Sequence, residues 1–194
     1  MTMKKFLAIA LVALLAGCAA PIVKVEGEQV VQNKLAVKLP EAWNRLSYPG
    51  QPYEVWTQEG ASLDQLRLWA GVQPGKQIVT LPPAPSGQKA ARAPTFTSNM
   101  TPDQLVSLFE IMYSADGSQV KITRIEPGTF AGATGVRFEF LVTAKKTDLQ
   151  VRGLGWAAER NGELYAATYH APDLAFFKRL APKAEAVVKT ALIK

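Results

Sequence analysis

His170 is the only histidine in the 194-residue chain, and Asp173 follows three residues later. In a hydrolase such a pair could orient an imidazole as general base, but the base needs a nucleophile to activate. No Gly-x-Ser-x-Gly turn occurs, so His170 reads first as a hydrogen-bonded residue at a strand end. One histidine and one cysteine cannot furnish an ordinary zinc ligand set, and Asp116-Gly117-Ser118 lacks the spaced carboxylates of a calcium loop. Gly128, Gly132 and Gly135 precede a strand pattern, whereas a phosphate cradle opens a helix. They and Gly153 and Gly155 read as bulges or close backbone approaches. No catalytic set, metal site or cofactor site is assigned.

The segments Tyr53 to Gln58 and Leu63 to Gly71 offer different chemistry. They alternate like strands around Glu59-Gly60-Ala61-Ser62 and predict a hairpin. With Glu54 opposite Arg67, one face carries Tyr53, Val55, Leu66 and Leu68. The other carries Glu54, Trp56, Gln65, Arg67 and Trp69. Two indoles among charges suit a recognition surface for a protein or a sugar, so Glu54, Trp56, Arg67 and Trp69 are the expected binding surface. The competing expectation is that both indoles pack beneath a helix or a loop. Lys178, Arg179, Lys183, Lys189 and Lys194 make the C-terminal segment basic, as a solvated face that complements a helix end or as a contact for anionic envelope components.

These residues need elements to hold them. Val30 to Leu39 reads as a first strand ended by Pro40, and Pro82, Pro83, Pro85 and Pro94 make residues 80–99 a loop. Lys89 and Arg92 are its expected tryptic sites. Thr101-Pro102-Asp103 starts a helix, with Leu105, Leu108, Phe109 and Met112 on one side and an end near Asp116-Gly117. Period-two patterns follow: Val120 and Ile122, then Val136, Phe138, Phe140 and Val142 against Arg137 and Glu139. Lys145 to Asp148 turns into a strand from Leu149 to Ala158, and Asn161-Gly162 predicts a type I′ hairpin into Leu164 to His170. Ala171-Pro172-Asp173 opens a last helix, with Leu174, Phe177, Ala181, Ala184, Val188 and Leu192 as its apolar stripe and a bend or restart at Pro182. The expected class is α+β, a mainly antiparallel sheet of about seven strands covered by helices.

The N-terminus has its own signature. Lys4 and Lys5 precede an apolar run from Phe6 to Ala16, and Leu15-Ala16-Gly17-Cys18 closes it. The run is too short to span a bilayer, which takes about 20 apolar residues. It resembles the signal peptide and lipobox of bacterial lipoprotein precursors. That resemblance implies cleavage between Gly17 and Cys18 and lipid attachment, palmitate included, at Cys18. It implies residues 1–17 as signal peptide, 18–27 as lipidated tether and 28–194 as one domain. Ala19 rather than Asp after the cysteine implies the periplasmic face of the outer membrane. With Cys18 acylated, no thiol is left for a disulfide. The formal charge of +6 falls by two with Lys4 and Lys5, which leaves a mildly basic domain without the dense clusters of a nucleic-acid binder.

Beyond the leader, the order of elements resembles the PsbP/Mog1-like α/β/α sandwich. The resemblance rests on Phe96-Thr97-Ser98-Asn99-Met100-Thr101-Pro102 before the central helix, on Phe130-Ala131-Gly132-Ala133-Thr134-Gly135-Val136-Arg137-Phe138 before a long hairpin, and on the closing segment Phe177 to Leu192. It covers residues 30 to 193 and implies a binding, scaffold or assembly-accessory task rather than catalysis. The expected partners are the membrane, through the acyl chains, and another envelope protein or a glycan, with no nucleic acid. The alternatives are an envelope hydrolase using His170 and a carrier holding a small apolar ligand between sheet and helix.

Overall fold

The computed structural model describes residues 22–83, 86–87, 90–173 and 175–194. Cys18, Gly17, Pro85, Lys89 and Leu174 lie outside the described residues. Nine strands form one sheet: β1 (Ile22–Val31), β2 (Leu35–Leu46), β3 (Glu54–Thr57), β4 (Gln65–Val72), β5 (Gln119–Phe130), β6 (Ala133–Thr143), β7 (Gln150–Arg160), β8 (Glu163–Pro172) and β9 (Leu192–Ile193). Helix α1 (Pro102–Ser114) follows β4, and α2 (Ala175–Val188) follows β8. The order across the sheet is β1-β2-β3-β4-β8-β7-β6-β5, every pairing is antiparallel, and β9 adds to β2.

Each face of the sheet carries a helix. On one face α1 buries Leu105, Val106, Leu108, Phe109 and Met112 against Trp69, Val136, Phe138, Phe140, Leu164 and Ala166. On the other, α2 buries Leu180, Ala181, Ala184, Val187 and Val188 against Trp43, Trp56, Leu66, Leu68 and Tyr169. The α+β expectation and its α/β/α layering hold. Thr101 caps α1 as its sequence predicts: its N–H donates to Gln104 Oε1 (2.9 Å), and its hydroxyl accepts from Gln104 N (3.4 Å). Asn161 and Gly162 form the expected tight turn, both with positive φ (53° and 76°).

Several expectations are corrected. The single strand from Val30 to Leu39 is two strands joined by Gln32 and Asn33, both at positive φ, with Lys34 N donating to Val31 O (3.0 Å). Ile22 to Gly27, expected in the tether, pair within the sheet. Pro40 does not end β2, because it falls where Leu39 and Trp43 face Gly27 and Val25 across a ladder irregularity and no N–H is needed. Ala171 and Pro172 close β8 rather than open α2; β4 stops pairing at His170, so Pro172 meets β7 alone. Helix α2 runs through Pro182 as one helix, and Leu192 lies exposed in β9 instead of completing its stripe. The proline-rich segment is pinned at both ends, with Ile78 N donating to Pro94 O, Phe96 N to Lys76 O, and Val79, Ala93 and Phe96 buried.

Of the two readings of Gly153 and Gly155, a bulge or a close approach to the backbone, the close approach is the one realised, and aromatic rings make it. A Cβ on Gly153 would stand 2.1 Å from Phe140 Cζ, and one on Gly155 2.0 Å from Phe138 Cζ. The bare backbone of β7 makes room for the two rings that carry α1.

The connection between β3 and β4 is organised by Asp64, a buried carboxylate. Its Oδ1 accepts from Thr57 Oγ1 (2.7 Å) and Glu59 N (2.8 Å), and its Oδ2 from Gln58 N (2.9 Å). Three donors thus compensate a charge that would otherwise be costly to bury. Replacing Asp64 with Ala orphans all three donors and is expected to lower stability by about 3 kcal/mol or more. Urea unfolding of the variant beside the parent chain checks this; a change under about 1 kcal/mol would contradict the clasp.

Candidate functional site

The Asp64 clasp sets the hairpin register. Glu54 pairs with Leu68, Val55 with Arg67 and Trp56 with Leu66, one residue away from the expected pairing of Glu54 with Arg67. Side chains alternate along a strand, so this shift moves one strand's side chains to the opposite face relative to the other's. The expected surface of Glu54, Trp56, Arg67 and Trp69 is therefore not formed. Trp56 is buried on the α2 face, its Nε1 donating to half-buried Glu54 Oε2 (3.1 Å). Trp69 is buried on the α1 face, its Nε1 donating to Ile78 O (2.7 Å). Of the two outcomes foreseen for the indoles, burial is the one realised.

Arg67 keeps company that the sequence did not announce. It stands on the α1 face beyond Trp69, half-buried, with its guanidinium 5.3 Å from the ring centre of Tyr53 and 5.4 Å from that of Tyr113. Nε and Nη2 both donate to Gln65 Oε1 (3.1 and 2.9 Å), and Gln65 Nε2 donates to Ala61 O (2.7 Å). The turn that Asp64 folds thus also fixes the fork of Arg67. Among the described residues, no carboxylate oxygen lies within 4.0 Å of this guanidinium. By contrast Arg137 binds Glu126, Glu139 and Glu185, and Arg179 of α2 binds Glu59.

The β4–β8 pairing brings His170 to the same cluster, opposite Gln65, with Thr168 opposite Arg67. Tyr113, at the last turn of α1, joins them: its hydroxyl is 2.8 Å from Thr168 Oγ1 and 3.1 Å from His170 Nδ1, and its ring packs on Phe140 at 4.7 Å. No hydrogen bond links His170 to Asp173, whose N–H donates to Gln150 O instead. Gln65, Tyr53, Tyr113, Thr168, Arg67 and His170 are each in place through pairing or helix packing. The sequence singled out His170, and placed Tyr53, Gln65 and Arg67 in one hairpin, but not their meeting; Tyr113, which it passed over, had a readable signal in lying four residues beyond Phe109 on the same side of α1.

The cluster's electrostatics centre on Arg67. Burial raises the pKa of Tyr53 and of Tyr113, while the guanidinium pulls both the other way. His170 is held well below its ordinary 6.5, by burial first and by Arg67 second, so it is neutral at physiological pH. The arrangement offers one fixed positive charge, a planar fork and several neutral hydroxyl and amide groups at a partly open surface. Chemically, that suits holding a carboxylate or similar monoanion through the guanidinium. A carrier's apolar ligand would need room between sheet and helix; there, Trp69 packs on Phe109 at 5.3 Å and Phe109 on Phe138 at 5.4 Å.

A nine-stranded antiparallel sheet with a helix on each face and this order of elements is a PsbP-like fold. The solution structure of the cyanobacterial PsbP protein CyanoP, from Synechocystis, superposes on 93% of this chain and 96% of its own, with a TM-score of 0.57 and 11% identical residues. No protein family and no curated protein matches the sequence. Among the described residues, no helix is long and apolar enough to cross a membrane.

Because His170 resists protonation in the folded chain, acid works against the fold. As pH falls below about 6.5, the unfolded chain takes up a proton that the folded chain refuses, and stability drops by up to about 1.4 kcal/mol per pH unit until the folded His170 also protonates. His170→Gln is expected to lose less stability than the parent between about pH 7 and about pH 5. Equal losses in urea melts at the two pH values would sink this account of His170.

Proposed function

We propose that this chain is a lipid-anchored lipoprotein of the bacterial cell envelope whose PsbP-like domain is a non-catalytic binding or assembly-accessory module. The anchor is a set of acyl chains on Cys18, placed by the Leu15-Ala16-Gly17-Cys18 lipobox and oriented, with Ala19 next, toward the periplasmic face of the outer membrane. The observation that carries the binding role is Arg67: a half-buried guanidinium, framed by two aromatic rings and pinned by Gln65, that no carboxylate of the described residues neutralises. Holding such a charge partly desolvated is costly within the domain alone, and an acidic group from an envelope protein or an acidic glycan would compensate it.

The hydrolase alternative would route chemistry through His170. Its hydrogen-bonding neighbour is the Tyr113 hydroxyl, with Thr168 next, and Arg67 further lowers its basicity. This favours a role in positioning Tyr113.

Two variants test the two halves separately. Cys18→Ser is expected to abolish incorporation of labelled fatty acid and to leave an uncut precursor; labelling equal to the parent would refute the anchor. Arg67→Gln is expected to leave anchoring and fold intact while weakening recovery of the partner by crosslinking in intact cells about tenfold or more. Undiminished crosslinking would remove Arg67 from the binding surface.

A further inference from the structure

The lipid anchor and the first strand are very close in sequence. Three residues separate Cys18 from Ile22, where β1 begins, and the four steps of chain between them reach at most about 14 Å when fully extended. Resting on the lipoprotein reading, this reach keeps the start of β1 within about 14 Å of the anchored residue, roughly the thickness of two headgroup layers. The residues found there are apolar and uncovered: Ile22 is 66% exposed, Val23 44% and Tyr48 45%. They belong to one corner of the molecule. Ile22 pairs with Leu46 at the end of β2, and Val23, Leu46 and Tyr48 line one surface groove of about 420 Å³ together with Arg45.

We infer that this corner, Ile22, Val23 and Tyr48, is a membrane-docking surface that seats the domain directly on the lipid headgroups. Two exposed aliphatic side chains and a tyrosine, which carries an apolar ring and a polar tip, match the chemistry of the bilayer interface. Lys24 and Arg45 flank them as ion pairs with Glu26 (3.6 Å) and Glu54 (3.8 Å), so the rim of the patch is polar and its charges are balanced. Docking has a functional consequence. Ile22, Leu46, Val55, Arg67 and Thr168 form one row of paired residues across the sheet, so Arg67 lies three strands, roughly 14 Å, from the seated corner. The same row continues to Ile125 on β5, at the opposite edge of the sheet and roughly 30 Å or more away. The acidic partner group at Arg67 would be met close to the membrane surface.

The test uses the full chain, expressed and purified with its acyl chains and reconstituted into vesicles of phosphatidylethanolamine and phosphatidylglycerol with brominated tails. A fluorophore is attached at Tyr48→Cys or, as the distant comparison, at Ile125→Cys, both exposed positions. The expected result is quenching by the brominated lipid at position 48 and none at 125, with the quenching lost when Val23→Asp is added while the protein still floats with the vesicles. Floating protein with no quenching at position 48, or with equal quenching at both positions, overturns the docking surface and leaves the anchor standing. Self-quenching at position 48 that disappears on dilution with unlabelled protein assigns the patch to a second copy and overturns the inference as well. Protein that carries no acyl chain and does not float refutes the lipoprotein reading, and the docking surface falls with it.

Discussion

The buried carboxylate of Asp64 is the constraint on which the site depends. Its three hydrogen bonds gather Thr57, Gln58 and Glu59 into a turn of one particular length, and that length decides which residue of β4 faces which residue of β3. A slip of one position would move Arg67 relative to Tyr53 and Val55, and it would change which indole meets which helix. The same turn supplies the Ala61 carbonyl that holds Gln65, and Gln65 holds Arg67. One satisfied buried charge therefore governs the orientation of a second charge that the domain leaves without a carboxylate.

The two faces of the sheet solve different packing problems. On the α2 side, large residues fill the space: Trp43, Trp56, Leu66, Leu68 and Tyr169 lie under small residues of the helix, Ala181 and Ala184. The indole nitrogen of Trp43 and the hydroxyl of Tyr169 are buried there without a hydrogen-bond partner among the described residues, and burial drives the Tyr169 pKa far upward. On the α1 side, size is reversed. Gly153 and Gly155 lie beneath Phe140 and Phe138, and those rings then meet Tyr113 and Phe109 from the helix. The aromatic row ends at Tyr113, and beyond it the face turns polar at His170, Thr168 and Arg67. The polar patch around Arg67 is thus continuous with the core that stiffens it.

Much of the secondary structure was legible because its causes are local. The cap of α1 needs only Thr101, Pro102 and Gln104; the turn at Asn161-Gly162 needs only residues that tolerate positive φ; the alternation from Val136 to Val142 follows from the pleat. The first two strands were misjudged for an equally physical reason. Gln32 and Asn33 make a tight turn without glycine, and Pro40 is admitted by an irregularity that exists only because β1 lies alongside. Ala171 and Pro172 carried a helix-start pattern that the β7 pairing overrode.

By itself, then, the sequence determined the basic and apolar character of the N-terminal segment ending in Leu15-Ala16-Gly17-Cys18, the central helix, the later hairpins and the α+β class, since each rests on the chemistry of neighbouring residues. Only tertiary structure decided that Trp56 and Trp69 part to opposite faces and that Arg67 and His170, 103 positions apart, share Tyr113. Strand register carries that decision. It is set by the hydrogen bonds of a buried turn and by which strands lie side by side, and neither follows from the local pattern of the strands concerned.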